Sequence, residues 1–267
     1  MTELYKHKFE ESEECPNILT FSDVTFNYKC EENDLLQNLN FNIREGEFVS
    51  IIGPSGCGKS TLFRLITGLE KNIGGTIYIS GENIMSKSGT VGYMPQKDLL
   101  VPWRTILQNA CLPLEIKGIP KNEAILKGRE YLEIFGLNGY EDRYPKELSG
   151  GMKQRVSFLR TILTGADLLL LDEPFSALDA ITKISLQEWL QEQWIKLKNT
   201  ILFITHDVEE AIFLSSRILI VTDKPITQLK EVEIPLEYPR NRSMLGREDL
   251  VKIKEQLIDE LKQKVEI

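Results

Sequence analysis

Gly53-Pro54-Ser55-Gly56-Cys57-Gly58-Lys59-Ser60 is the stretch on which the reading of this chain turns. It fits the pattern GxxxxGK[ST], and its flanks suit that pattern: Phe48 to Ile52 is a short β-rich run, and Ser60 to Leu69 has helical periodicity broken at Gly68. Glycines let successive backbone N–H groups turn inward around phosphate oxygens, and the start of the following helix adds partial positive charge. Lys59 is expected to reach the β- and γ-phosphates of a nucleotide, and the Ser60 hydroxyl to hold Mg²⁺. Gly53, Pro54, Ser55, Gly56, Cys57, Gly58, Lys59, Ser60 and Thr61 form the expected nucleotide-binding set. The Cys57 side chain is expected to be incidental, because such a loop works through its backbone.

Outward from this loop, strand and helix patterns alternate. Residues 18–28 alternate apolar and polar, and Gly75 to Ser80 and Val91 to Met94 are strand-like. Trp103 to Gly118, Asn122 to Gly136 and Ser149 to Thr164 read as helices. Strands return at Leu168 to Leu171, Ile201 to Thr205 and Ile218 to Val221, with a helix at Ala180 to Leu197. This alternation predicts an α/β core with a largely parallel sheet, interrupted by a helical lobe over about 97–164. The tail, 225–267, begins with Pro-containing strand-like pieces and ends in a helix, Arg247 to Lys262, with Leu250, Ile253, Leu257, Ile258 and Leu261 on one face.

Residues 168–173 read Leu-Leu-Leu-Leu-Asp-Glu, an apolar strand ending in two carboxylates. A buried strand there would deliver Asp172 to the Mg²⁺ shell and leave Glu173 to polarise a water in line with the γ-phosphate.

Composition narrows the choices. The chain has 267 residues, 42% hydrophobic and 27% charged, as an ordinary globular protein does. Lys+Arg 32 against Asp+Glu 40 gives a net charge of -8, which disfavours a general nucleic-acid binder. No apolar run approaches the roughly 18–20 residues of a membrane helix. Residues 1–17, with Glu10, Glu11, Glu13 and Glu14, read as a flexible acidic extension without the apolar core of a secretory signal. Cys15, Cys30, Cys57 and Cys111 show no paired spacing, so a reducing cytosol is expected.

Leu148-Ser149-Gly150-Gly151-Met152, followed by Lys153-Gln154-Arg155, resembles the signature of ATP-binding cassette (ABC) ATPases. The order of the other motifs is similar to that family across about residues 18–224: the loop at 53–60, Gln96, the signature at 148–152, Asp172-Glu173, Ser176-Ala177-Leu178-Asp179 and His206. The fold this implies is a P-loop NTPase (RecA-like) core with an antiparallel β subdomain and an inserted helical lobe. By the same resemblance Tyr28 stacks on adenine, with Phe26 the competing candidate, and Gln96 links Mg²⁺ and the attacking water to the helical lobe. His206 contacts the γ-phosphate and Asp179 couples two sites across a dimer. Ser149-Gly150-Gly151 opens a helix and is therefore a second anion site in the same chain. A head-to-tail pair, either two copies or this chain with a homologue, would place each signature on the partner's ATP.

Pro102-Trp103-Arg104, Tyr144-Pro145-Lys146-Glu147 and Tyr238-Pro239-Arg240 are similar to the importer branch that serves nitrate, sulfonates, taurine and thiamine precursors. The implied partners are a polytopic permease, whose coupling helix docks near Gln96 to Arg104, and an extracytoplasmic solute-binding protein. The implied location is peripheral, on the cytoplasmic face of the plasma (inner) membrane. An exporter or lipoprotein-release ATPase is the alternative within the family, followed by a cassette that works without a transporter.

Overall fold

The computed structural model describes residues 16–28, 33–84 and 91–262. Two sheets carry the chain. The first is antiparallel, ordered β2-β1-β4-β5, from β1 (Asn17–Phe26), β2 (Leu36–Arg44), β4 (Gly74–Ile79) and β5 (Glu82–Asn83). The second is ordered β10-β9-β3-β8-β7-β6, from β3 (Phe48–Ile52), β6 (Val91–Met94), β7 (Leu168–Asp172), β8 (Thr200–Ile204), β9 (Arg217–Ile220) and β10 (Lys230–Glu233). All its neighbours run parallel except the β10–β9 pair. Every residue of β3, β7 and β8 is buried, which is why these strands read as unbroken apolar runs rather than alternations.

Arg217 joins the sheets: its guanidinium donates to the Asn42 carbonyl at 2.9 Å, to Glu47 at 2.7 Å and to Glu231 at 2.8 Å. Helix α1 (Lys59–Ile66) follows β3. The helical lobe comprises α2 (Ile106–Ala110), α3 (Leu112–Ile116), α4 (Lys121–Ile134) and α5 (Gly150–Ile162). Then come α6 (Ala180–Leu197), α7 (Val208–Leu214) and the last helix, α8 (Glu248–Lys262). Phe135 centres the lobe, with its ring 5.9 Å from Phe158 and 5.1 Å from Trp189 of α6. Leu250 and Leu257 of α8 are buried, and Ile253, Ile258 and Leu261 pack beside them on the α7–β9 core, as the amphipathic pattern expects.

Several boundaries differ from the sequence reading. Strand β1 starts at Asn17, so only residues up to 16 can be extension, and residues 1–15 lie outside the described residues together with Cys15 and Cys30. The strand also stops at Phe26, leaving Tyr28 two positions beyond it. The expected helix over Trp103 to Gly118 is two short ones. Thr105 caps α2 in a capping box with Gln108, and Pro113 opens α3, where its missing N–H costs nothing. Strand β2 escaped the reading because Asn38, at φ 48°, breaks its alternation before Leu39, Phe41 and Ile43 resume it. Helix α7 was also missed, although Asp207 capping an acidic first turn is a legible start signal.

Candidate active site

The parallel sheet gathers the site at the carboxyl ends of four adjacent strands: the loop after β3, the carboxylates ending β7, His206 after β8 and Gln96 after β6. In open α/β sheets this edge is where ligands bind. Within the loop, Gly58 sits at φ 112° as the N-cap of α1, and a Cβ there would lie 3.2 Å from both Leu35 and Ile226. The left-handed geometry favours glycine, and a side chain there would also press on Leu35 and Ile226.

Lys59 is turned back across the loop, where its ammonium donates to the carbonyls of Gly53 at 2.8 Å and Pro54 at 2.9 Å. The loop is therefore pre-shaped by the cation expected to meet phosphate. Cys57 is not idle: it is buried, with its Sγ 3.8 Å from the Lys59 ammonium, and it fills the space that a side chain at Gly53 would need.

Ser60 and Asp172 come together, with Oγ donating to Oδ1 at 3.4 Å, and the Tyr93 hydroxyl donates to Oδ2 at 3.3 Å. Burial and the neighbouring Glu173 raise the Asp172 carboxyl above its ordinary range, against the opposing pull of Ser60, Tyr93 and Lys59. Tyr93 in turn is pushed up to about 12 by burial and by Asp172, so it stays a hydrogen-bond donor. A hydroxyl and a carboxylate form a hard oxygen set that suits Mg²⁺, which commonly binds through one or two protein oxygens plus substrate phosphates.

Glu173 is the meeting point. Its Oε2 lies 3.1 Å from His206 Nδ1 and accepts from the Gln96 amide at 3.3 Å, and Gln96 also donates to Ser176 Oγ at 3.4 Å. The Glu173 backbone is at φ 45°, a conformation unfavourable for a side chain, held by its N–H donating to the Ile204 carbonyl at 2.9 Å. Of the flanking residues, Tyr28 sets its ring edge-on to Phe26 at 4.9 Å, and its hydroxyl is 2.9 Å from Thr61 Oγ1. Phe26 is buried in the core, as alternation expects.

The signature lies apart from this cluster. Ser149 caps α5, accepting from the Met152 N–H at 3.3 Å, with Gly150 and Gly151 in its first turn. A Cβ on Gly151 would stand 2.9 Å from Thr182, so the signature helix approaches the start of α6 closely. Asp179 caps α6, accepting from the Thr182 N–H at 3.0 Å and its hydroxyl at 2.6 Å.

The geometry thus brings Lys59, Ser60, Asp172, Glu173, Gln96 and His206 to one edge, while the Ser149 turn stays separate. The family profile described as "ABC transporter" matches residues 36–176, just over half the chain. The chain belongs to the ABC transporter family. It is an ATP-binding, ATP-hydrolysing cassette of that family.

The formylaminopyrimidine import ATP-binding protein ThiZ of Halalkalibacterium halodurans is 48% identical to this cassette over 223 residues, covering 84% of this chain and 87% of ThiZ. The aliphatic sulfonates import ATP-binding protein SsuB of Bacillus thuringiensis subsp. konkukian is 46% identical over 209 residues, covering 78% and 82%. Among solved structures, a dimeric post-hydrolysis state of the ATP-binding cassette MJ0796 bound to ADP and Pi matches with TM-score 0.69 and 31% identity, covering 82% of this chain and all of that one.

Three contacts of this ABC cassette lay outside the sequence reading. Tyr93 points at Asp172, a position the Val91 to Met94 alternation could have singled out, since Gly92 and Met94 are buried on one face of β6 and Tyr93 is half-buried on the other. Ser176, read only as part of a motif, receives Gln96. Arg160 of α5 donates to the carbonyls of Asp98 at 2.6 Å and Leu99 at 2.8 Å, tying the segment after Gln96 to the signature helix. No local pattern marks such an arginine. Beside it Trp103 is 78% exposed and Leu99 61%, while Leu100 is buried. No described helix is long and apolar enough to cross a membrane.

Proposed function

We propose that this cassette energises solute uptake through a separate permease, and that Glu173 is its catalytic carboxylate. The observation that carries the catalytic reading is the convergence of His206 and Gln96 on one oxygen of Glu173. Glu173 orients a water and accepts its proton as oxygen adds to the γ-phosphorus. The bond to the β–γ bridging oxygen breaks, and ADP and phosphate leave. Lys59 exchanges its two loop carbonyls for phosphate oxygens, and His206 and the partner's signature turn stabilise the charge of the transferring group. Ser60 and Asp172, with Gln96, would hold Mg²⁺, which would supply neutralisation of the phosphate charge. Tyr28 supports the adenine side of the cradle.

Two copies, or this chain with a homologue, meet head to tail so that Ser149, Gly150, Gly151 and Met152 complete the opposite cradle, with Asp179 between the sites. The dimeric state of the related MJ0796 cassette supports this arrangement. Uptake is supported by the likeness to ThiZ and SsuB, both import ATP-binding proteins, and that likeness favours a thiamine-precursor or sulfonate-like solute, with nitrate and taurine in the same class. In this reading the permease docks at Leu99 and Trp103, whose exposure supports such a contact, and the cassette works at the cytoplasmic face with a solute-binding protein on the other side.

The test is to purify the Glu173→Gln chain with ATP from detergent-solubilised membranes. A co-purifying permease, and a solute-binding protein whose ligand is read by mass spectrometry, is the expected result. A permease without such a receptor would move the reading to export, and absence of any membrane partner would remove it.

A further inference from the structure

We infer that the strap Tyr238–Arg242, in the tail beyond the cassette core, positions His206 by bracing helix α7 from both sides. This inference rests on the proposed role of His206.

Helix α7 begins two residues after His206, so its placement sets that of the imidazole. At its far end, Arg240 is 5% exposed, and its guanidinium donates to the carbonyls of Ile212 at 2.8 Å, Phe213 at 3.3 Å and Ser215 at 2.8 Å, and to Leu236 at 2.8 Å. The guanidinium thus donates to four backbone carbonyls, three of them at the end of α7. Burying a cation is costly unless it is engaged, and the last carbonyls of a helix lack partners within it; the two terminal nitrogens of Arg240 meet that need, while its buried Nε has no partner. The Tyr238 hydroxyl donates to the next of these carbonyls, Leu214, at 2.7 Å, and the Arg240 guanidinium lies over the Tyr238 ring at 4.0 Å.

At its near end, α7 is tied to the strap by a second route. Arg242 stacks over Phe213 at 4.2 Å and donates to Gln187 of α6, which donates to Glu210 at 2.8 Å. Glu210 accepts from the hydroxyl of Thr205, the residue before His206, and that hydroxyl takes the Asp207 N–H at 3.0 Å. Lys183 closes the cluster with ion pairs to Asp207 at 2.8 Å and Glu210 at 2.6 Å. Both neighbours of His206 are thus held by side chains that the strap reaches, and none of these groups belongs to the phosphate loop.

The chain has two histidines, His7 and His206, so an isotope-labelled imidazole signal can be assigned by its loss in His206→Gln. In the full chain, Arg240→Lys, which cannot span the same carbonyls, is expected to shift or broaden the His206 signal. Its kcat should fall about tenfold or more, as displacement of a positioned group does, while affinity for a fluorescent ATP analogue stays within about twofold because the loop is untouched. Arg242→Gln, at the strap's outer end, should move the same signal and decides the matter if Arg240→Lys does not fold. An unmoved His206 signal with unchanged kcat, in a variant that only melts earlier, would overturn the inference. Normal hydrolysis by His206→Gln would instead remove the catalytic role of His206, leaving the imidazole signal to judge the strap by itself.

Discussion

His206 Nδ1 stands 3.1 Å from Glu173 Oε2, and because a carboxylate only accepts, that nitrogen carries the proton when the two are hydrogen-bonded. The Gln96 amide, at 3.3 Å, shares the same oxygen. Residues after two neighbouring strands therefore meet on the carboxylate that ends a third, which makes its removal the sharpest single perturbation of the site.

Glu173→Gln keeps the side-chain shape but removes the base. Turnover should drop about 10²–10⁴-fold, and an ATP-bound dimer should accumulate in size-exclusion chromatography. Near-normal turnover would exclude Glu173 from the role.

Lys59→Ala removes two hydrogen bonds that shape the loop as well as the cation itself. ATP affinity should fall about ten- to hundredfold, in line with losing charge-assisted bonds. Titration with a fluorescent nucleotide checks this, and wild-type affinity would count against the cradle assignment.

Gly151→Ala places a methyl group 2.9 Å from Thr182. Crowding of this kind costs about 1–3 kcal/mol and displaces the signature turn without touching the loop around Lys59. ATP should still bind, whereas dimerisation on a Glu173→Gln background should be lost in analytical ultracentrifugation.

Arg160→Gln strips the carbonyls of Asp98 and Leu99 of their shared donor, for a stability loss of about 1–3 kcal/mol. The larger effect should be on coupling. In reconstituted vesicles, solute uptake per ATP hydrolysed should decline, and an unchanged ratio would mean that this tie carries no signal.

Asp207 illustrates the pH dependence. Burial opposes its ionisation, but Lys183 and the first amides of α7 outweigh burial and hold its carboxyl below the ordinary 3.8. A depressed carboxyl contributes stability above its unfolded value and loses it as pH falls through the folded one. Asp207→Asn should therefore be less stable than the parent at pH 7 by no more than about 1 kcal/mol, since the group is 35% exposed and solvent screens it. The gap should close below about pH 4. Urea midpoints at the two pH values measure it.

The parts of this molecule that could be read from the chain are those where local chemistry is self-sufficient. The phosphate loop needs its glycines in order, β7 needs an unbroken apolar run before Asp172, and α6 was read over the same span that Asp179 caps. The lobe was visible as a change of period. What escaped depends on partners far apart in sequence: Arg160 meets carbonyls about 60 positions away, Tyr93 meets Asp172 across two strands, and Arg240 caps a helix some 25 residues upstream. Asn38 hid a strand because one left-handed residue shifts the alternation that reveals it.

Helix α5 spans thirteen residues, about 20 Å at 1.5 Å per residue. One end carries the Ser149 turn, and near the other Arg160 grips the segment leading to Trp103. A rod of that length does not bend usefully, so a push at one end is delivered at the other within the same movement. If the signature turn meets a nucleotide as proposed, the same helix joins that contact to the segment bearing the exposed Trp103, so one rigid element spans both surfaces.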